Sequence, residues 1–336
     1  MEMKKITIND IAKALSVTPS TVSRALAGNT RVSVKTRNLV KEKAREMGYQ
    51  PNVIAASLRK GKSDTIGMIV PRINRHFFSN VISGVEEILN PAGYNLVICQ
   101  SGESQLKEEK AVETLLRNQV GGILLSLSLQ TQTFDHLQEV IRRQIPLVQF
   151  DRIHAGISGS KVINDNYTGA YLATKHLIKA GFKRVAHFAG GRNLKAYQER
   201  YMGYVKAMSE AGYELDETLV MDNVITREAG YESLKRLLKK GVADALFCAG
   251  DYSALGALEA LKEMGINVPD EFGVVGFANE PFAELMYPTL SSVEQNGFEM
   301  GNKAAAAMIK CLEGTVVDEE TIVPVRLIVR QSSKSE

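Results

Sequence analysis

Cysteine and histidine are scarce in this 336-residue chain, with three of the first and five of the second. Cys99, Cys248 and Cys311 lie far apart and form no CxxC pair, so they read as small apolar thiols in a reducing compartment. His76, His136, His154, His176 and His187 show no HExxH or other ligand spacing, and no metal site is expected. No apolar run approaches the roughly 20 residues that a membrane helix needs. The opening MEMKKITIND turns polar at once, without the apolar stretch of a signal peptide, and predicts a cytoplasmic protein. A phosphate-cradling GxGxxG after a strand, a Walker sequence and a nucleophile elbow are also missing, which argues against an enzyme. Neither catalytic residues nor a cofactor is expected.

Hydrophobic residues at 44% and charged residues at 24% describe a soluble globular chain, long enough for two or three folded units. The net charge of +3 conceals an uneven distribution. Residues 1–62 hold 13 Lys+Arg against 4 Asp+Glu, a net of +9, and the remainder holds 28 against 34, a net of −6. A basic head on a mildly acidic body suits a protein that meets a polyanion with one end only.

The head reads as three short helices. TINDIAKAL opens with Thr7 as cap and Asp10 three residues on, a capping-box pattern with Ile8, Ile11, Ala12 and Leu15 at helical spacing. The second helix is bracketed by Thr18, Pro19 and Gly28 in VTPSTVSRALAG. It has only Val22, Ala25 and Leu26 to bury, beside Ser20, Thr21, Ser23 and Arg24. The third runs from Ser33 to Met47, with Leu39, Val40, Ala44 and Met47 expected inward and Gly48 as stop. Then Pro51 breaks the pattern, and VIAASL before RKGK makes barely two turns, a conditional helix in a linker.

From Thr65 onward apolar strand-like runs alternate with amphipathic helices: TIGMIVP, YNLVICQS, GGILLSL, IPLVQFD, SKVINDN, RVAHFAGG, LVMDNV, ADALFCAG and EFGVVGFAN. Such alternation implies parallel sheets covered on both faces, and a break near Asp151–Asp165 divides them into two doubly wound lobes. Ligands in such sheets sit beyond the carboxyl ends of the strands, where this chain is polar.

The whole chain, from about Ile6 to Gln331, resembles the lactose-repressor (LacI/GalR) family of bacterial transcription factors. The resemblance is carried by ITINDIAKALSVTPSTVSRALAG, AASLRKGKSDTIGMIVP, VINDNYTGAYLATKHLI, ERYMGY, ALFCAGDYSALGALEALKEMGINVPDEFGVVGF and LSSVEQNGFEMG, in that order. It implies an α/β protein in three parts. A helix-turn-helix head occupies 1–50 and a hinge helix 51–63. A periplasmic-binding-protein-like body of two doubly wound parallel-sheet lobes occupies 64–336, with an N-lobe of about 64–163 and 295–322 and a C-lobe of about 164–294 and 323–332. It further implies a homodimer on a palindromic operator, controlled by a sugar or sugar derivative in the interlobe cleft. The tail has no leucine heptad, which favours a dimer over a tetramer.

By position in the matched motifs, Pro19, Ser20 and Arg24 would read bases, Arg24 by a bidentate fork to guanine. Thr18, Thr21, Ser23, Arg31, Ser33 and Thr36 would hold the phosphate backbone, with Thr18 and Ser33 also capping their helices. Leu58 would wedge a central base step in the minor groove, with Arg59 beside it. In the body, Phe77, Phe78, Asp151, Arg200, Ile225, Asp251 and Asn279 fall at effector positions. One of the two phenylalanines is expected to pack into the core; the alternative for Arg200 is a solvated arginine paired with Glu199. Two departures from the family pattern stand out. Ala249-Gly250-Asp251 replaces AND, and Gly276-Phe277-Ala278-Asn279 puts an alanine where the ligand-binding carboxylate usually stands. With Arg72, Arg75, Arg152 and Arg200 near strand ends, an anionic sugar derivative is favoured over a neutral one. A transport-type carbohydrate-binding protein or sensor without DNA function would share the body but lack the basic head.

Overall fold

A computed structural model describes residues 6–49, 63–239, 241, 243–315 and 319–333. The chain divides into two compact units between Ser63 and Asp64. The expected hinge helix, with Leu58 and Arg59, lies outside the described residues.

The first unit is built from caps more than from core. α1 (Ile8–Ala14) starts in a full capping box: the Thr7 amide donates to Asp10 Oδ2 at 2.8 Å and the Asp10 amide returns to Thr7 Oγ1. α2 (Pro19–Leu26) is capped by Thr18 and α3 (Val34–Glu46) by Ser33, each hydroxyl accepting a backbone N–H three residues on. Gly28 and Gly48 follow α2 and α3 at positive φ, where a Cβ would be strained. Ile11, Ala12, Val22, Ala25, Val40 and Ala44 close the core. Leu39, expected inward, is instead 50% exposed. Val40 and Ala44 define the buried stripe of α3, and one residue step turns Leu39 by about 100° away from it.

In the second unit, β1 (Thr65–Val70), β2 (Asn95–Gln100), β3 (Gly122–Leu125), β4 (Leu147–Phe150), β5 (Ser160–Asn164) and β11 (Glu320–Val323) form one parallel sheet in the order β11-β5-β4-β3-β1-β2. A second sheet holds β6 (Val185–Phe188), β7 (Val220–Met221), β8 (Ala245–Cys248), β9 (Gly273–Phe277), β10 (Ser291–Glu294) and β12 (Arg326–Ile328), ordered β12-β10-β9-β8-β6-β7 with only β12 antiparallel. β5 belongs to the first sheet, so the break between lobes falls after Asn164. The β2 edge departs from the two-faced burial of its neighbours, leaving Val97 and Ile98 exposed.

Helices cover both faces of each sheet. α4 (His76–Leu89), α5 (Gln105–Arg117), α6 (Asp135–Arg142) and α11 (Gly297–Leu312) flank the first; α7 (Asn166–Lys179), α8 (Lys195–Glu210), α9 (Arg227–Lys239) and α10 (Asp251–Glu263) flank the second. α4 and α11 pack backbone to backbone because Gly84 faces the Phe298 carbonyl and Gly301 the Val81 carbonyl, leaving no room for a Cβ. This contact holds the start of α4, with Phe77 and Phe78, against the first sheet. Gly301→Val should therefore cost roughly 1–3 kcal/mol by overpacking. The expected readout is a lower urea midpoint at unchanged m-value, and an unchanged midpoint would show that the two helices separate freely.

Candidate functional sites

The second helix of the head turns its polar side to solvent. Thr18, Pro19, Ser20 and Arg24 are exposed, as are Arg31 and Ser33, while Thr21, Ser23 and Thr36 are half-buried. Pro19, Ser20, Ser23 and Arg24 line a shallow depression with Ile8 and Asn9 from α1. Val22 and Ala25 are fully buried, so the α2 faces are divided without overlap. Thr18 Oγ1 also lies 2.9 Å from Ser20 Oγ and Thr21 Oγ1, and Ser33 Oγ lies 2.9 Å from Thr36 Oγ1. Each capping hydroxyl thus belongs to a small hydroxyl cluster. Arg24 has no carboxylate within ion-pair distance among the described residues. This face can offer a planar fork and short hydroxyls to a groove.

In the body, loops at the carboxyl ends of β1, β4, β8 and β9 meet the first turns of α4, α8 and α10 around a cavity of about 250 Å³. Phe77 and Phe78 both line it, ring centroids 5.1 Å apart and edge to face. Both also belong to the buried core, so neither is spared for the ligand alone. Asp151 sits at positive φ directly after β4, its Oδ2 accepting from Ser126 Oγ at 3.3 Å. Burial pushes its carboxyl pKa upward. Arg152 donates through Nη1 to Glu103 Oε2 at 2.7 Å, a pair that neutralises one of the four arginines.

Arg200 is the central cation. It is 6% exposed, against the alternative of a solvated arginine. Its Nε donates to Asn166 Oδ1 and its Nη1 to the Ala249 carbonyl at 2.7 Å, and its guanidinium stacks 3.7 Å over the Phe277 ring. Glu199 faces Lys195 instead.

Two expected effector residues behave differently. Asp251 reaches the cavity wall, but its carboxylate accepts from Ser292 Oγ at 2.6 Å and from the Glu280 amide at 2.7 Å, bracing the loop after β9. Asn279 is not among the lining residues. Its Nδ2 donates to Glu294 Oε2 at 2.7 Å, because at positive φ its side chain turns away and Ala278 forms the wall. Ile225 lines the cavity as expected.

The sequence reading missed Glu103, Tyr197, Tyr252 and Glu280. Tyr197 was findable, since it precedes Arg200 by three residues on one helix face. Tyr252, under the Arg75 guanidinium at 3.4 Å, and Glu280, accepting from the His76 amide at 3.4 Å, are brought in by the opposite lobe and carry no such local signal.

A model of bacterial regulatory proteins of the lacI family matches residues 7–52, and one of periplasmic binding protein-like domains matches 174–333. The HTH-type transcriptional regulator RegA of Clostridium saccharobutylicum is 33% identical over 97% of this chain and 98% of its own length. The chain belongs to the LacI family. Like its relatives, this LacI-family chain is a transcriptional regulator with a DNA-binding head and not an enzyme. A solved complex of the transcriptional regulator CelR with cellobiose is 30% identical, covers 98% of this chain and 100% of that one, and superposes with a TM-score of 0.75. The lac repressor dimer bound to operator, 23% identical over 99% and 100% of the two chains, shares the fold at a TM-score of 0.86. No helix among the described residues is long and apolar enough to cross a membrane.

Burial raises the Asp251 pKa to about 7, well above its usual carboxylate value, against the opposing hydrogen bonds from Ser292 and the Glu280 amide. Between those two values the folded state holds more protons than the unfolded one, so this group's contribution to stability falls as pH rises toward 7 and is flat above it. Asp251→Asn is expected to flatten the pH dependence of the thermal midpoint between about pH 5 and 7. An unchanged slope would remove Asp251 as its source.

Proposed function

We propose that this LacI-family regulator is a cytoplasmic repressor that binds a palindromic operator as a homodimer, and that a sugar or sugar derivative in the interlobe cleft controls it. The observation that carries the reading is the division of labour within one chain. An exposed helix with a guanidinium fork stands on a basic head, and a buried polar cleft lies at the strand ends of the body. In this reading Pro19, Ser20 and Arg24 meet base edges, and Thr18, Thr21, Ser23, Arg31, Ser33 and Thr36 meet phosphates. Leu58 and Arg59 enter the minor groove from the paired hinges.

The effector contacts Phe77, Phe78, Asp151, Arg200 and Ile225, while Asp251 positions the loop that carries Ala278 and Asn279. By bridging the lobes it changes their angle, and across a dimer that alters the spacing of the two hinges. The coupling is reciprocal: DNA changes effector affinity by the factor by which effector changes DNA affinity. Self-association is supported by Leu285 and Tyr287, 81% and 86% exposed, an apolar pair that a partner surface would cover. The cellobiose-bound relative supports a carbohydrate class of ligand. A carbohydrate sensor without DNA function would have no use for the outward face of α2.

Selection of bound sequences from a random duplex library by the full-length protein tests the proposal. Enrichment of two half-sites related by a two-fold axis is expected. Arg24→Ala should lose preference at one position per half-site, worth roughly 1–3 kcal/mol, while keeping salt-sensitive non-specific binding. Recovery of no motif would favour the sensor reading.

A further inference from the structure

Arg24 is the only charged side chain of α2, and it makes no hydrogen bond or ion pair among the described residues. Its direction is therefore set by the backbone of the last turn of α2. That turn is weakly held by the helix itself, because eight residues make barely two turns and a helix so short is marginal alone. Val22, Ala25 and the half-buried Leu26 fix the roll of α2 against the core. The placing of its last carbonyls rests on polar contacts.

Two of these contacts close the far end. The Asn29 amide donates to the Arg24 carbonyl at 3.0 Å, tying the turn after the helix to the backbone of Arg24 itself. Gly28, at a φ of +72°, permits that reversal. From the first turns of α3, Arg37 Nη1 then donates to the Gly28 carbonyl at 3.1 Å. A guanidinium at the carbonyl end of a helix also meets the negative pole of its dipole. Arg37 Nε, in contrast, is buried and has no hydrogen-bond partner among the described residues. A buried donor left unmade is destabilising, so a plain apolar side chain would fill the same space at less cost. What an arginine adds here is a long, planar donor that reaches one particular carbonyl.

Resting on the operator-binding reading above, we propose that Arg37 is a positioning residue that determines sequence specificity through Arg24. It touches no base. It holds the Gly28–Asn29 turn, and that turn holds the backbone from which Arg24 reaches its base pair. A bidentate contact needs the guanidinium and the base edge close to one plane, so a small rotation of the last turn of α2 forfeits one of its two bonds. Base pairs met by Pro19 and Ser20, at the Thr18-capped end of α2, are read independently of Arg37.

The test uses full-length protein, the duplex enriched by the unaltered protein, and the same duplex changed at the base pair that Arg24→Ala ceases to distinguish. The ratio of the two affinities is read at one salt concentration, so that a loss of charge common to both duplexes cancels. Arg37→Met keeps the stem and removes the donor, and it should cut that ratio roughly tenfold. Arg37→Lys returns a donor without the planar fork and should recover part of it. Preferences at the other base pairs of the half-site should stay as they are. Amide hydrogen exchange of Val22 and Val40 in the free protein checks that the head is folded; if Arg37→Met lowers it, Arg37→Lys carries the comparison. Equal weakening on both duplexes with the ratio kept makes Arg37 a phosphate contact or a packing residue, and overturns the proposal. Equal loss of preference at every base pair overturns it as well. A selection in which the unaltered protein enriches no motif removes the DNA function itself, a result distinct from a motif that both variants leave intact.

Discussion

Asn164 and Gln295 hold each other where the chain passes between its two lobes. The Asn164 side-chain amide donates to the Gln295 carbonyl at 2.6 Å, and Gln295 Nε2 returns to Asn164 Oδ1 at 3.1 Å, both residues buried. The third crossing is tied to the same place by the Asp165 amide on the Val323 carbonyl. Buried amides must be satisfied, so this clasp fixes where three strands of chain cross. Gln295 itself also lines the cleft.

Much of the architecture was legible in the residues because parallel strands buried on both faces leave long apolar runs with little else in them. TIGMIV, ALFC and GVVGF are of this kind, and all three are strands. β2 was legible as a strand, but its place at the sheet edge was not, since strand order depends on which helix packs where. The short β10, β11 and β12 carry too few residues for a period to show, and β11 and β12 complete the two sheets from the far end of the chain.

The cleft was half legible. Residues directly after a strand, such as Asp151, or one turn into the next helix, such as Arg200, follow from the rule that ligands gather at strand ends. What failed was orientation. A positive φ at Asn279 and at Ala278 exchanges which side chain faces the cavity, and no spacing in GFANE announces it. Partnering failed too: Arg152 looks free in the sequence and is spoken for by Glu103, 49 residues away.

The head is a unit in which the hydroxyls of Thr18 and Ser33 close helix ends while facing outward. Losing such a cap typically costs about 1 kcal/mol, a large share of what a unit of this size can hold. A genetic screen for regulators that have lost control of their promoters would thus collect alleles at Thr18 and Ser33 whether or not either hydroxyl touches DNA. Those alleles would be temperature-sensitive, working in the cold and failing in the warm. Alleles at Arg24, whose side chain makes no hydrogen bond or ion pair among the described residues, would fail at every temperature alike.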